Sequence, residues 1–140
     1  MIDKKTETDI KDVKNFLEFW AKFHSIYEAT ISKGTISKDE ERKFLETKDL
    51  IASKYEVLRN GLEFKYMPHS RLTDPVNDIL SINSVSFMSE KHLKKVNDDW
   101  RDSYIFLNSV LERFKNKKKR LEQFHPVAVF FKRILERKQR

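Results

Sequence analysis

The residues with the clearest chemical potential are the cations near the end of the 140-residue chain. Five of the six residues from 115 to 120 are Lys or Arg, and a second basic group follows Pro126. Such cations can neutralise phosphates of nucleic acid or carboxylates of an acidic protein, without reading a base sequence. The candidate contacts to an acidic partner are Lys115, Lys117, Lys118, Lys119, Arg120, Lys132, Arg133 and Arg137.

The same cations also fit two other interpretations. Positive charge at the C-terminal end of a helix interacts favourably with the helix dipole, so the segment could be only a solvated helix end. The residues after Pro126 also form a basic amphipathic pattern, which could lie on an anionic membrane surface or in a groove of a partner.

Two of these residues suggest an enzyme as an alternative. Arg120 and His125 have the R-x4-H spacing, which resembles the motif of HEPN ribonucleases, a family of small helical bundles that often dimerise. The resemblance covers six residues, and Leu121 stands where a polar residue usually follows the arginine. It implies that Arg120 would bind the scissile phosphate and that His125 would act in acid–base chemistry, for which histidine has a suitable pKa.

Other catalytic and cofactor motifs do not occur in the sequence. Without cysteine there can be no disulfide, cysteine nucleophile or CxxC zinc site, and two glycines cannot form a phosphate-binding loop. The four histidines, His24, His69, His92 and His125, are far apart in sequence. His24 is predicted to be a boundary histidine with a hydrogen-bond partner, and Asp98, Asp99 and Asp102 to be a solvated or lysine-paired helix face. We expect no metal and no cofactor.

Composition favours an all-α protein. Hydrophobic residues make up 39% of the chain and include eleven Phe, whereas charged residues make up 36%, with only two Gly and three Pro. Sheet-rich domains need more turn residues. The first residues lack the apolar core of a signal peptide, and the longest apolar run, PVAVFF, is far shorter than a membrane span. A cytoplasmic protein is therefore expected, with integral membrane association unexpected.

The net charge of +7 is concentrated at one end. Residues 1–112 contain 18 Lys/Arg and 20 Asp/Glu, whereas residues 113–140 contain 11 Lys/Arg and 2 Asp/Glu. The net charge is thus −2 before residue 113 and +9 from there on. Such asymmetry indicates an acidic partner.

The first half of the chain predicts a helical hairpin. Apolar residues at three- and four-residue spacing predict a first helix over 9–32, with Asp9 as its cap. Ser37 and Glu40 form a predicted capping box for a second helix. Lys48 lies on the apolar stripe of that helix and should send its amine outward. The short connection favours antiparallel neighbours.

The second half predicts three further helices. Residues 62–67 fit either a helix or an extended segment, and the helix is favoured. Asp74 and Pro75 predict the start of a short helix. Ser89 should cap a long helix over 90–124 with a near-heptad apolar stripe, and Pro126 should start a last short helix. The long helix should either bend or project beyond the hairpin.

Together these patterns predict one all-α domain over residues 1–140, a mainly antiparallel bundle of three long helices plus two short ones. The predicted function is a non-enzymatic interaction or adaptor module whose basic segment, residues 113–140, binds an acidic partner. Nucleic acid is the first candidate for this partner, and an acidic protein is the second. The HEPN-like ribonuclease and a helical oligomerisation module are the alternatives, the latter including a homodimer through the near-heptad stripe.

Overall fold

A computed structural model describes residues 4–61, 74–86 and 88–138, with side chains described as far as Glu122. Four helices occur in these ranges: α1 (Lys4–Ile31), α2 (Lys38–Gly61), α3 (Pro75–Leu80) and α4 (Glu90–Lys138). The described residues contain no strand, which confirms the all-α class. The choice between helix and extended chain for 62–67 lies outside the described residues.

The predicted start of α1 was wrong. The helix begins at Lys4, so Asp9 lies inside it, almost fully buried, rather than capping it. The Lys5 Nζ atom donates to Asp9 Oδ1 at 2.6 Å and to the Gly61 carbonyl at 2.6 Å. The first turn is thus tied to the end of α2, a contact between residues 56 positions apart that local sequence patterns cannot show.

The cap of α2 is where the sequence places it. Glu40 N–H donates to Ser37 Oγ at 3.1 Å, and the Ser37 hydroxyl donates to Glu40 Oε1 at 3.1 Å. Lys33 Nζ lies 2.7 Å from the other oxygen of the Glu40 carboxylate. Lys33 first, and Ser37 second, hold the pKa of Glu40 below its usual value. One serine therefore fixes the turn between the two helices.

Aromatic side chains from three helices form the centre of the core. The ring centroids of Trp20 in α1 and Trp100 in α4 are 4.8 Å apart. Those of Phe23 in α1 and Phe44 in α2 are 5.3 Å apart. The buried apolar residues of α1 are Ile10, Val13, Phe16, Trp20, Phe23 and Tyr27, which follow the predicted stripe. Helix α1 therefore packs against α2 on one side and α4 on another.

The prediction for Lys48 was half right. Its stem lies on the buried stripe of α2, but the side chain is nearly buried and its amine does not point outward. Lys48 Nζ donates to the Ile82 carbonyl at 2.8 Å. A buried carbonyl without a donor is costly, so the ammonium group satisfies the backbone just after α3.

Short helix α3 follows the predicted Asp74–Pro75 start. Asp74 Oδ1 accepts the backbone N–H groups of Val76 and Asn77 at 3.1 and 3.2 Å. The other carboxylate oxygen accepts the Tyr55 hydroxyl at 3.0 Å, which joins α3 to α2. Burial, followed by the negative charge of Asp74, raises the pKa of Tyr55 well above its usual value, so the phenol remains a donor.

Helix α4 corrects the predicted arrangement. Ser89 caps it as expected, with its Oγ accepting the His92 N–H at 3.1 Å. The helix then continues through Pro126, and its 49 residues give a total length of about 73 Å. The described residues therefore contain three long helices and one short one. Residues 117–125 contain no Gly, Ser, Thr, Asn or Asp. A second helix would thus have no capping residue before the proline, so the usual signal for a new helix start is absent from this stretch.

Candidate acidic-partner interface

The register of α4 against α1 determines where the basic segment lies. Trp20 Nε1 donates to Ser103 Oγ at 2.8 Å, and Lys118 Nζ lies 3.7 Å from Glu7 Oε1. The two helices therefore run antiparallel, with Lys118 level with the beginning of α1. Helix α4 has twenty residues after Lys118, whereas α1 has only three before Glu7. The C-terminal part of α4 thus continues beyond the length that α1 can pair.

Two of the predicted contact residues already have acidic neighbours in the chain. Lys115 Nζ lies 3.6 Å from Glu112, and Lys118 Nζ lies 3.9 Å from Glu122 in addition to Glu7. Both side chains are about 40% exposed, so these ion pairs are solvated and contribute little stability. An acidic ligand could compete with such carboxylates. Lys117 is half-buried and has its own interaction in the chain.

Lys119 and Arg120 are the most available cations of the first group. Both are exposed, and within the described part of the chain neither has a carboxylate at ion-pair distance. Arg113, which the list of candidate contacts omitted, is exposed as well. It is seven residues before Arg120 and hence on the same face of α4. That spacing was the signal that could have identified it.

The second group of cations lies further along the same helix. Lys132, Arg133 and Arg137 belong to α4, but their side chains are outside the described set. The rise per residue separates Lys132 from Arg120 by about 18 Å along the axis. A single helix therefore presents two basic groups in succession.

Continuous helix also fixes the spacing of the R-x4-H pair. Positions 120 and 125 are five residues apart, which corresponds to about 140° around the helix axis and about 7.5 Å along it. Arg120 is exposed, and the side chain of His125 lies outside the described set. The ribonuclease hypothesis therefore receives no supporting geometry, and stays a prediction.

The other candidate chemical groups have structural partners. His24 lies between Glu28, 3.1 Å from its Nε2, and the Tyr104 hydroxyl, 3.2 Å from its Nδ1, and it stacks on Trp100 with centroids 4.3 Å apart. It is the half-buried boundary histidine that the sequence predicted. Over the described residues, no group of three or more His, Asp and Glu side chains is arranged to hold a metal ion.

The acidic residues of α4 pair with neighbouring cations, as predicted. Lys95 Nζ lies 2.9 Å from Asp99, and Arg101 lies 3.6 Å from Asp98 and 3.5 Å from Asp102. The hydrogen bond with Asp99 raises the pKa of Lys95, so this lysine stays charged. These carboxylates are charge-paired, and Asp98 and Asp102 are half-exposed, whereas Asp99 is largely buried.

Shifted pKa values in the core have structural causes. Burial, and then the charge of Glu28, raises the pKa of Tyr27 to about 12 and also raises that of Tyr104. The Tyr27 hydroxyl lies 3.9 Å from Met88 Sδ. Both phenols remain protonated at neutral pH, and the Tyr27 hydroxyl donates to the sulfur of Met88.

No protein-family model, no curated protein and no solved structure matches this chain. In the described ranges, none of the helices has the length and apolar character needed to span a bilayer.

Proposed function

We propose that this chain is a non-enzymatic helical interaction module that binds an acidic macromolecule, with nucleic acid as the first candidate, through the basic part of α4. The observation that carries the proposal is the continuation of α4 beyond its register with α1, together with Lys119 and Arg120, which are exposed and have no ion pair with any described side chain. A rod with cations along it can follow a phosphate backbone.

Charge distribution supports the same proposal. The bundle up to residue 112 carries a net charge of −2, so it repels a polyanion, whereas the segment from 113 carries +9. A ligand would therefore be directed to one end of the molecule. Base-specific contacts are not required, because the interaction rests on phosphate charge.

The test is fluorescence anisotropy of labelled single-stranded RNA and DNA at several salt concentrations. The full chain is compared with Lys119→Glu/Arg120→Glu and with a matched control, Lys91→Glu/Lys94→Glu. The control makes the same change in net charge on exposed residues near the other end of α4, about 38 Å away. We expect binding to weaken at least tenfold in the first variant and to change little in the control.

Three outcomes would contradict the proposal. No binding at low salt, or equal weakening in both variants, would show that this segment is not a nucleic-acid site, and acidic protein partners would come next. Cleavage of the RNA that disappears in His125→Ala would replace the interaction module with the ribonuclease.

A further inference from the structure

An apolar groove runs between α1 and α2, on a surface that the basic segment does not involve. It encloses about 410 Å³, and its apolar lining residues are Phe16, Phe19, Leu50, Val57 and Leu58. Three of them remain substantially exposed: Phe19 by 39%, Leu50 by 58% and Val57 by 73%. These are large side chains to leave in water, and they lie next to one another.

Spacing in the sequence extends this surface along both helices. Leu50 and Val57 are seven residues apart on α2, and Ile26, which is 41% exposed, follows Phe19 by seven residues on α1. A seven-residue repeat keeps apolar side chains on one face of a helix, as in packed helical bundles. The hairpin therefore has a second apolar seam in addition to the one that packs on α4.

Opposite charges lie at one end of the groove and just beyond the other end. Lys54 and Lys22 lie over the Phe19 ring, with Nζ atoms 4.4 and 5.9 Å from its centroid. Asp12 lines the other end of the groove. Within the described ranges, none of the three has an ion-pair partner. Asp12 and Lys22 are about 15 Å apart along α1.

We propose that this surface is a homodimer interface, covered by the same α1–α2 face of a second copy. A two-fold axis in the interface plane and perpendicular to the helices would reverse the direction of the second α1. Asp12 of each copy would then lie beside Lys22 of the other, and the apolar seams would meet. An interface made by one face twice must be complementary to itself, and the opposite charges at its two ends satisfy that condition.

The location differs from the self-association predicted for the long helix. Most of the α4 stripe that was expected to pair with either its own chain or a second copy is buried within the chain, with Trp100, Leu107 and Phe114 almost fully enclosed, whereas Leu121 near its end is 37% exposed. Among the side chains that the structure describes, the hairpin face carries the larger group of exposed apolar residues. Its extent, on the order of a few hundred Å², is small beside the ~800 Å² per partner of stable complexes, so the dimer should be weak and concentration-dependent.

The test is sedimentation equilibrium of the full chain over roughly 10 to 500 µM, a range suited to a micromolar dissociation constant. We expect a monomer–dimer equilibrium. In Val57→Asp, the dissociation constant of the dimer should rise at least tenfold. Ile105→Asp is the matched control, because Ile105 is 63% exposed on α4, away from the groove. It should leave the equilibrium unchanged.

A charge exchange tests the orientation of the second copy. Asp12→Lys alone and Lys22→Asp alone should each weaken the dimer, because they place like charges together. The double variant Asp12→Lys/Lys22→Asp should restore it. A chain that stays monomeric across the range, or a dimer that Val57→Asp does not weaken, would overturn the proposal. Failure of the double variant to recover would overturn the antiparallel arrangement. Circular dichroism of each variant checks that the monomer is folded.

Discussion

At the scale of single residues, the join between α1 and α4 depends on buried polar atoms. The Ser103 hydroxyl accepts from Trp20 Nε1 at 2.8 Å and donates to the Trp100 carbonyl at 2.6 Å. Trp100 Nε1 is buried and has no hydrogen-bond partner. Of these two neighbouring indoles, only that of Trp20 therefore has an acceptor among the described residues.

Replacing this serine should destabilise the bundle. In Ser103→Ala, Trp20 Nε1 would remain buried without an acceptor, so the free energy of unfolding should fall by about 1–3 kcal/mol. Urea unfolding followed by circular dichroism measures the change. Ser25→Ala is the control, since Ser25 is exposed and bonds only to the carbonyl of Ala21 in its own helix. Equal stability of the two variants would show that the indole finds another partner.

A second residue-scale prediction concerns pH. Glu41 accepts the Ser86 N–H at 3.0 Å and the hydroxyls of Ser86 and Ser84, and these bonds, the Ser86 hydroxyl first, lower its pKa from the ordinary 4.5. Because the folded pKa is lower than the unfolded one, this contact stabilises the fold above about pH 5 and is lost as pH falls through the folded pKa. Glu41→Gln should therefore lower the melting temperature by a few degrees at pH 7, and less at pH 3. A constant difference between pH 7 and pH 3 would contradict this assignment.

Lys48 illustrates that the sequence predicts the position of a residue on a helix but not its distant hydrogen-bond partner. Its place on the apolar stripe of α2 was predictable from helical spacing. The acceptor of its amine was not, because the Ile82 carbonyl is 34 positions away and comes close only through tertiary packing. The surroundings of Asp9 were unpredictable for the same reason, because its partner Lys5 also donates to the distant Gly61 carbonyl.

At the scale of elements, the starts of α2, α3 and α4 were predictable, whereas the start of α1 and the end of α4 were not. Ser37, Asp74 and Ser89 each bond to backbone N–H groups two or three residues ahead, so their signals lie within a few letters. The continuation of α4 through Pro126 is different. Proline is favourable in the first turn of a new helix and costly in a helix interior, so the local sequence favoured a new start at that position, whereas α4 continues through it.

Substitution of this proline distinguishes the two states. Inside a continuous helix, Pro126→Ala restores a backbone N–H and removes a clash, which should stabilise the surrounding turns by up to about 3 kcal/mol. Hydrogen exchange of amides near residue 126 should then slow, and helicity should rise. If a new helix began at Pro126, the alanine would remove a favourable first residue, and protection would fall. The direction of the change decides between them.

At the scale of the whole molecule, composition predicted the all-α class and the charge asymmetry, but not how they combine. The +9 segment could have folded back onto the −2 bundle. The Lys118–Glu7 pair shows that contact occurs at the boundary, whereas α4 continues past it. That register follows from how Trp20, Ser103 and Trp100 fit together, which no periodicity in the sequence specifies.

The salt dependence of nucleic-acid binding is the property that this charge arrangement should control. Each phosphate neutralised on a single strand contributes about −0.7 to the slope of log K against log salt. If Lys119 and Arg120 both contact phosphates, Lys119→Ala/Arg120→Ala should reduce the steepness of that slope by about 1.4. Lys91→Ala/Lys94→Ala, at the other end of α4, should leave it unchanged. Anisotropy titrations at four or more salt concentrations measure both slopes. Equal slopes for the two variants would mean that net charge, rather than the basic part of α4, attracts the polyanion.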